Sequence, residues 1–538
     1  MFDLLIKNGF MIDGTGRAGV RADVGIVSDR IVEVGEIDAS ACCVIDAEGC
    51  VVSPGFIDIH SHTDEMVLAN PTCESKVTQG VTTEVSGNCG ESAAPRCGHQ
   101  NLQEYAASMA KYGINPVWSS LGEFLSYLSD WTDQSDRNHA ISINFATLVG
   151  HGNVRSAAMG YDDRPPSDQE LDEMRRLVDQ AMLDGAFGLS SGLVYPPGCY
   201  AQTDELIELC KVAARYGGIY ATHVRNEAEG VVSAVEEAIR IGREAGVGVQ
   251  ISHHKSCGRN QCGIVKETLA MIDEARAEGI DVWADQYPYV ATCTSLSSIL
   301  PKWAHDGGKD ALLRRLSDPS ERARLREELL GDQRLIDCGG WASIVVNDVR
   351  HKESRFCEGL NIAEIATRFG KSPVDTVLDL LLEEQAGVGI IHFCINEDDV
   401  AVVMRHPAVV IGTDATARCR KGPLSECKPH PRAYGTFPRV LGKYVREGVL
   451  TLEQAVAKMT GMPAKRLSLT GRGILTEGNF ADIVVFDPEK IVDTATFQEP
   501  HSLASGINYV LVNGKPAVEH GEIAEPGSGR VLRRINRR

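Results

Sequence analysis

The sequence predicts an α/β protein with a TIM-like (β/α)8 barrel, a small β-sandwich domain formed by both termini, and an inserted lobe. Short strands with turn dipeptides fill 1–55, and short strands return over 476–538. Between them, apolar runs alternate with longer amphipathic segments, which is typical of a parallel sheet closed into a barrel. We therefore expect the small β domain at 1–55 and 476–538, the barrel at 56–475, and the lobe at about 296–387.

The predicted small β domain consists of short strands joined by turns. Hairpin dipeptides such as Asn8-Gly9 and Asp13-Gly14 separate short apolar runs near the N-terminus, which favours an all-β meander. Its predicted strands are Phe2–Lys7, Ile31–Val34 and Cys43–Ile45, followed near the C-terminus by strands within Gly478–Asp487 and Tyr509–Lys515. We expect the two ends of the chain to share this domain.

The predicted barrel begins after Val52, where helical spacing of apolar residues appears between the strands. Asp168–Asp184 carries Met174, Leu177 and Ala181 on one helical face. The candidate strands are Phe56–Ile59, Val81–Ser86, Ile141–Val149, Phe187–Leu189, Gly218–Ala221, Val247–Ser252, Asp281–Asp285, Val388–Phe393 and Val409–Gly412. These are nine candidates where a barrel needs eight, and Val388–Phe393 is the weakest of them.

The predicted lobe interrupts the barrel pattern. It holds a charged helical piece, Asp310–Leu330, and a short apolar piece, Trp341–Val346. Neither piece continues the strand–helix alternation of the barrel. We interpret the stretch as an insertion beside the barrel mouth.

Charge and composition exclude several classes of partner. The chain has 538 residues and a formal net charge of −20, which disfavours binding to nucleic acid or to anionic membranes. The N-terminus lacks the features of a signal peptide, and no apolar run reaches the roughly 18 residues of a membrane span. We therefore expect a cytoplasmic protein whose oligomeric state is unknown. Most of its 16 cysteines are expected to be buried apolar side chains.

The strongest chemical signal is the pair His60 and His62 in FIDIHSHTD. Residues two apart on a strand face the same side, and the carboxyl ends of barrel strands carry active sites. Two convergent imidazoles suit zinc. The alternative is a pair of hydrogen-bonded core histidines, and the two interpretations are evenly balanced on this motif alone.

Three further strand ends carry polar residues of the same kind. They are His223 in THVRNE, His253 in ISHHK and Asp414 in GTDA. Alone, each would be a core histidine or a helix-capping aspartate. Strand ends of a barrel converge on one mouth, however, which makes a common site the better hypothesis. His254 is adjacent to His253 and is expected to face the other way.

These motifs together resemble the amidohydrolase superfamily, and within it the D-aminoacylases (N-acyl-D-amino-acid deacylases). The resemblance covers about residues 1 to 515 and follows the family order through GFIDIHSHTD, SGNCG, GLSSGLVYPPG, THVRNE, ISHHK, DQYPY, GTDA and HPRAYGTFPRVL. Most members of the superfamily place a carbamylated lysine or a glutamate between two metals. This chain has Cys89 of SGNCG instead, which is the feature that indicates the D-aminoacylase branch.

The resemblance implies a metal-dependent hydrolase that acts on linear amide C–N bonds. Cys89, His223 and His253 match the residues that hold the tight zinc ion in that family. His60 and His62 match the ligands of a second, weaker metal site, which Cys89 would bridge. Asp414 matches the catalytic aspartate, which takes a proton from the attacking water and returns it to the departing amine.

The same resemblance implies a small-molecule partner, an N-acyl-D-amino acid. Its α-carboxylate is expected to contact Lys255, Tyr195 and Tyr287. The alternative for these three residues is a solvated lysine and two packing tyrosines. The roles of Arg432 and His151 remain unassigned.

The sequence gives less evidence about which side chain of the substrate amino acid is preferred. Relatives specific for acidic side chains have an arginine after the seventh strand, whereas this chain has the rather apolar segment 294–303. We therefore expect neutral or hydrophobic D-amino acids as substrates. Lys302 and the basic loop Arg418–Cys427 stand against this expectation. Alternatives are an N-acyl-D-glutamate or -aspartate deacylase, a D-amino-acid dipeptidase of the same branch and, with less support, a cyclic-amide or ureido hydrolase.

Overall fold

The structure is a computed structural model that describes residues 1–132, 140–524 and 527–535. Its strands form a closed barrel, a two-sheet sandwich and one smaller sheet. The strands are β1 (Phe2–Lys7), β2 (Phe10–Met11), β3 (Val20–Arg21), β4 (Asp23–Val27), β5 (Arg30–Gly35), β6 (Ala41–Asp46), β7 (Val51–Pro54), β8 (Phe56–Asp58), β9 (Val81–Ser86), β10 (Asn144–Thr147), β11 (Val149–Gly150), β12 (Gly188–Gly192), β13 (Ile219–His223), β14 (Gly248–Ile251), β15 (Val282–Gln286), β16 (Thr292–Ser295), β17 (Ile344–Val349), β18 (Val388–His392), β19 (Val409–Ile411), β20 (Ile483–Phe486), β21 (Ile507–Val512), β22 (Lys515–Glu519) and β23 (Glu522–Ile523).

Helices pack around the barrel and build much of the inserted lobe. The α-helices are α1 (Met66–Ala69), α2 (Glu74–Val77), α3 (Leu102–Ala110), α4 (Leu121–Thr132), α5 (His151–Met159), α6 (Asp168–Asp184), α7 (Thr203–Arg215), α8 (Val231–Ala245), α9 (Val265–Ala277), α10 (Gly308–Ser317), α11 (Pro319–Leu330), α12 (Gln333–Asp337), α13 (Ile362–Phe369), α14 (Pro373–Glu383), α15 (Glu397–Arg405), α16 (Arg432–Arg439), α17 (Leu452–Met459) and α18 (Gly461–Leu467). Over the described residues, no helix combines the length and the apolar character that a membrane crossing would need.

The barrel has eight parallel strands, as predicted. Strands β8, β9 and β10 pair in sequence, and β11 to β15 continue to β19. Only Leu148 separates β10 from β11, so these two are halves of one barrel strand. A parallel bridge between Ser61 and Ala415 joins the ends of β8 and β19 and closes the ring.

Helix α6 shows how local sequence fixes a barrel helix. Ser167 accepts a hydrogen bond from the backbone of Glu170, and the Glu170 side chain accepts one from the backbone of Ser167. This capping box satisfies amide groups that the first turn leaves unpaired. Met174, Leu177 and Ala181 are buried as the sequence predicts.

The two chain ends form the predicted β-sandwich. One sheet has the order β5-β4-β1-β6, and the other has the order β23-β22-β21-β20-β7-β2-β3. In the second sheet, β7 from the N-terminal part pairs with β20 from the C-terminal part. Ile6 and Ile26 of the first sheet share a hydrophobic core with Val52 and Ile483 of the second, so the two ends stabilise each other.

The ninth strand candidate, Val388–Phe393, is not a barrel strand. It corresponds to β18, which pairs antiparallel with β16 and β17 in a separate three-stranded sheet. This sheet and helices α10 to α14 share a hydrophobic core that includes Leu296, Leu325 and Val377. The strand was ambiguous because a short apolar run fits either sheet.

Candidate metal centre

Six polar residues converge at the mouth of the barrel from the ends of different strands. They are His60 and His62 after β8, Cys89 after β9, His223 at the end of β13, His253 after β14 and Asp414 after β19. Cys89, His253 and Asp414 have left-handed backbone conformations, with φ of 52°, 37° and 51°. Such conformations are costly for residues other than glycine and are concentrated at functional sites.

Cys89 lies in a turn that two glycines make possible. Gly87 and Gly90 have φ of +76° and +81°. A Cβ atom at Gly87 would lie 2.1 Å from the Leu148 carbonyl oxygen, and one at Gly90 would lie 2.7 Å from the Gly192 amide nitrogen. The SGNCG turn therefore packs too tightly for side chains on either side of the thiol.

The first group of potential metal ligands is Cys89, His223 and His253, whose donor atoms all lie within 4.8 Å of one another. His253 Nε2 is 2.9 Å from His223 Nδ1 and 3.5 Å from Cys89 Sγ. All three side chains are buried. One thiolate and two imidazoles form a donor set that suits zinc and leaves a coordination position for water or substrate.

The second group is His60, His62, Cys89 and Asp414, and it shares the Cys89 sulfur with the first. Cys89 Sγ lies 3.3 Å from His60 Nε2. Asp414 Oδ1 lies 2.9 Å from His62 Nε2 and 3.4 Å from His60 Nε2. The structure thus brings together all six residues that the sequence assigns to metal binding and catalysis.

The half-buried carboxylate of Glu227 and the buried carboxylate of Asp285 contact the outer nitrogens of three histidines. Glu227 lies 3.1 Å from His253 Nδ1 and 3.5 Å from His223 Nε2, the nitrogens that face away from the donor group. Asp285 lies 2.8 Å from His60 Nδ1. Carboxylates in this position fix the ring orientation and tautomer of metal-ligating histidines.

The close packing of these groups shifts their proton affinities. Burial alone would raise the pKa of Cys89, but His60 and His253 lower it well below its usual value. Burial opposes a raised pKa at His62 and His223, yet Asp414 and Cys89 raise the pKa of His62 to about 10, and Glu227 and Cys89 raise that of His223 to about 9. The cluster therefore favours a thiolate, the form that binds metal.

Asp414 is held as a carboxylate by Arg432. Burial would raise the pKa of Asp414, but Arg432 and the nearby histidines hold it well below its usual range. Arg432 Nη1 lies 2.8 Å from Asp414 Oδ2, and its guanidinium lies over the ring of Tyr287, 4.6 Å from the centroid. Among the described residues, the Tyr287 hydroxyl has no hydrogen-bond partner although it is buried.

A cavity of about 440 Å³, here called the main cavity, opens onto these residues. Its walls include His62, Cys89, Tyr195, Lys255, Tyr287 and Asp414. Lys255 Nζ lies 2.5 Å from Glu227 and 2.9 Å from His253 Nδ1. The Tyr195 hydroxyl contacts Thr294 at 3.0 Å. The three residues predicted to bind substrate thus line one cavity beside both donor groups.

Other residues named from the sequence lie away from the donor groups. His254 faces away from His253 as expected and contacts Thr268 Oγ1 at 2.9 Å. His151 pairs with the buried Glu205 at 2.8 Å. Lys302 Nζ lies 3.5 Å from the Cys199 carbonyl oxygen and does not line the main cavity.

The basic loop Arg418–Cys427 packs against its own residues and against α2. Arg418 Nη1 lies 3.3 Å from Cys427 Sγ, and Arg420 forms an ion pair with Glu74 of α2. Neither arginine lines the main cavity. The basic character of this loop is therefore used in contacts outside that cavity.

Sequence reasoning missed Glu227 and Asp285 and left Arg432 unassigned. Each lies inside a motif that was already singled out: THVRNE, DQYPY and HPRAYG. The signal was thus present as an acidic or basic residue close to a candidate ligand. Glu227 is four residues from His223, so that pair is local, whereas the contacts of Asp285 with His60 and of Arg432 with Asp414 join different segments and could not be identified from the sequence.

Comparison with known proteins finds relatives that all belong to one family of hydrolases. The family model described as "Amidohydrolase family" matches residues 43–518. The chain is 39% identical to D-aminoacylase of Alcaligenes xylosoxydans xylosoxydans, over 99% of this chain and 98% of the relative. It is 38% identical to N-acyl-D-glutamate deacylase of the same organism, over 99% and 96% of the two chains.

A solved structure with a bound metal is similarly close. The N-acyl-D-glutamate deacylase of Bordetella bronchiseptica, complexed with zinc and a phosphonate inhibitor that mimics the tetrahedral reaction intermediate, has a TM-score of 0.81 and 36% identity. The match covers 99% of each chain. A zinc-bound structure therefore matches this chain over almost its whole length.

Proposed function

This chain belongs to the amidohydrolase family, and we propose that it hydrolyses N-acyl-D-amino acids to a carboxylate and the free D-amino acid. The observation that carries the proposal is the arrangement around the main cavity. A thiolate-and-imidazole donor set stands beside an ionised aspartate and two buried cations, Lys255 and Arg432. The preference for the D-configuration comes from the relatives, which are D-specific deacylases by name.

The residues that would hold zinc are Cys89, His223 and His253, with His60 and His62 at a second and weaker site. Bound there, zinc would polarise an amide carbonyl and lower the pKa of a water molecule. Glu227 would keep His223 and His253 in the tautomer that binds metal, and Asp285 would do the same for His60. Cys89 is the residue common to both sites.

Asp414 is the proposed proton carrier. Its low pKa keeps it ionised at neutral pH, so it can accept a proton from the attacking water. It can then donate this proton to the amide nitrogen as the C–N bond breaks, since an unprotonated amine is a poor leaving group. Its contacts with His62 and Arg432 fix the orientation of the carboxylate.

The α-carboxylate of the substrate is proposed to bind Lys255, Tyr287 and Arg432, with Tyr195 beside them. The Tyr287 hydroxyl is buried without a hydrogen-bond partner among the described residues, a costly arrangement that an anionic ligand would relieve. The Arg432 guanidinium lies over the Tyr287 ring and adds a positive charge at the same place. Arg432 extends the set of substrate-binding residues named from the sequence.

The side-chain preference is proposed to be neutral or hydrophobic. Two arginines line the main cavity besides Arg432, but both are already paired. Arg225 pairs with Glu237 at 2.9 Å, and Arg334 pairs with Asp332 at 2.8 Å. The apolar side chains of Val194, Ile299 and Leu335 also contribute to the wall.

The test is hydrolysis of racemic N-acetyl-leucine by the purified, zinc-supplemented protein, with the released leucine resolved by chirality. We expect release of D-leucine only. Release of L-leucine alone, or of no amino acid from any D-substrate, would refute the function. A panel of N-acetyl-D-leucine, -D-glutamate and -D-aspartate tests the side-chain preference, and faster turnover of an acidic substrate would overturn that part alone.

A further inference from the structure

Three cysteines that the proposed reaction does not use meet at the edge of the main cavity. Cys257, Cys338 and Cys394 lie together in the wall of the main cavity, where Cys394 interacts with the other two thiols. A Cβ atom placed on Gly258 would lie 3.7 Å from Cys338 Sγ, so Cys338 also lies close to the backbone that follows Cys257. All three thiols are free.

The cluster joins the inserted lobe to a loop of the barrel. Cys338 follows helix α12 of the lobe, and Cys394 follows strand β18. Cys257 belongs to the barrel loop that carries Lys255, and it forms an antiparallel bridge with Ile395. The Gly258 amide donates a hydrogen bond to the Cys394 carbonyl oxygen at 2.9 Å. Backbone pairing thus holds Cys394 beside the barrel loop, whereas Cys338 approaches from the lobe.

Small molecules can reach the cluster from two sides. All three cysteines line the main cavity. Cys338 and Cys394 also line a second cavity of about 410 Å³, whose other walls include Gly258 and Phe393. Cys338 and Cys394 therefore border both cavities, so a small oxidant that enters either cavity comes close to them.

Cys338 and Cys394 differ in reactivity. The contact with Cys394 lowers the pKa of Cys338, against the effect of burial and with the help of Arg334. The contacts with Cys257 and Cys338, together with burial, raise the pKa of Cys394 well above its usual value. A thiolate reacts with peroxide, whereas a thiol does not, so Cys338 is the residue that would react first.

We propose that Cys338 and Cys394 form an oxidation site for hydroperoxides, at which a disulfide bond ties the inserted lobe to the segment that follows β18. The Cys338 thiolate attacks one peroxide oxygen, the O–O bond breaks, and Cys338 becomes a sulfenic acid as the first water leaves. The Cys394 thiol then gives its proton to the sulfenic oxygen as its sulfur attacks the Cys338 sulfur, the S–O bond breaks, and the second water leaves. Two thiols and one hydrogen peroxide thus give one disulfide and two waters.

The disulfide has a consequence for the main cavity. It covalently fixes the end of α12, which carries Arg334 and Leu335 into the cavity wall, against the segment that pairs with the loop of Lys255. We expect this restraint to hinder access to the cavity and to lower turnover at least fivefold until a dithiol reduces the bond. This effect rests on the proposed function, whereas formation of the disulfide does not.

The disulfide is tested by peptide mapping of the zinc-loaded protein after hydrogen peroxide and a thiol-blocking reagent. Trypsin leaves the three cysteines on separate peptides: Ser256–Arg259, Leu335–Arg350 and Ser372–Arg405. We expect a crosslink between the second and third peptides that dithiothreitol removes. Absence of any crosslink, or a crosslink between the first and third peptides, would overturn the proposal.

Variants distinguish the proposed pair from its neighbour. Cys338→Ser and Cys394→Ser are expected to lose the crosslink, and Cys257→Ser is the matched control that keeps it. Mapping of the unchanged protein decides the proposal even where a variant does not fold. A reversible crosslink without any change in turnover would retain the oxidation site and overturn only the expected restraint on the cavity.

Discussion

The ammonium group of Lys76 lies 2.6 Å from the carboxylate of Asp58, and neither side chain reaches solvent. The same ammonium donates hydrogen bonds to Thr413 Oγ1 at 2.7 Å and to the Ala415 carbonyl oxygen at 2.8 Å. Lys76 therefore ties the strand that precedes His60 to the strand that precedes Asp414. It joins the first and last strands of the barrel directly beneath the site.

Replacing this lysine should weaken both the barrel and the site. Lys76→Met leaves the Asp58 carboxylate buried without its cation, and breaking a buried ion pair costs about 3–5 kcal/mol. We expect a loss of that size in the free energy of unfolding by denaturant, together with zinc bound at reduced stoichiometry. Lys211→Met, at an exposed position on α7, is the control. Equal stability of the two variants would contradict this role of Lys76.

Glu227 should control metal affinity through the two histidines that it contacts. Glu227→Gln keeps the shape of the side chain but removes the charge that faces His223 and His253. Loss of such an outer carboxylate typically lowers metal affinity 10- to 100-fold. Zinc affinity measured by competition with a chelator should fall by about this factor.

Glu229→Gln provides the matched control because Glu229 is two residues away on the same loop and exposed. We expect its zinc affinity to equal that of the unchanged protein. If Glu227→Gln bound zinc as tightly as this control, the carboxylate would have no part in holding the metal.

The fold could be predicted from the sequence to the level of individual strands because each barrel strand is an apolar run between helices of clear periodicity. Val81–Ser86 and Asp168–Asp184 have the predicted bounds. Val388–Phe393 was ambiguous because local periodicity does not reveal whether a strand pairs within the barrel or within the lobe. The charged piece 310–330 proved to be two helices, α10 and α11, since Asp318 and Pro319 end one and begin the next.

The sequence predicts the metal ligands and Asp414 because each of them directly follows or ends a recognisable strand. Lys76 and Asp285, which support these residues from outside, depend on contacts between distant segments. Lys76 is 337 positions from Thr413, and Asp285 is 225 positions from His60. No periodicity in the chain encodes such pairs, so only the folded structure identifies them.

His254 should make the protein sensitive to mild acid. Burial, with a contribution from Lys255, lowers the pKa of His254 to about 4, whereas an unfolded chain has the ordinary value near 6.5. Between these two values the unfolded state binds more protons. The stability that the neutral His254 contributes is therefore lost as pH falls from about 6.5 to 4, and it amounts to roughly 3 kcal/mol.

The measurement is denaturant unfolding at pH 7 and pH 4.5 in a Cys89→Ala background, so that acid release of metal does not contribute. His254→Gln should lose less stability between the two pH values than its parent. His99→Gln, at an exposed histidine, should behave like the parent. If all three lost the same amount of stability, the acid sensitivity would arise elsewhere.

Arg432 should act mainly on substrate binding. The proposed contact with the α-carboxylate is a charge-assisted hydrogen bond, worth about 1.5–3 kcal/mol. Arg432→Met should therefore raise KM for N-acetyl-D-leucine by roughly 10- to 150-fold. Because Arg432 also contacts Asp414, some loss of kcat is expected as well, and the substrate must be varied to separate the two effects.

N-acetyl-D-leucinamide lacks the carboxylate, so Arg432→Met should change KM for this amide far less than for the acid. A change of the same size for both substrates would show that Arg432 serves Asp414 and does not bind the carboxylate.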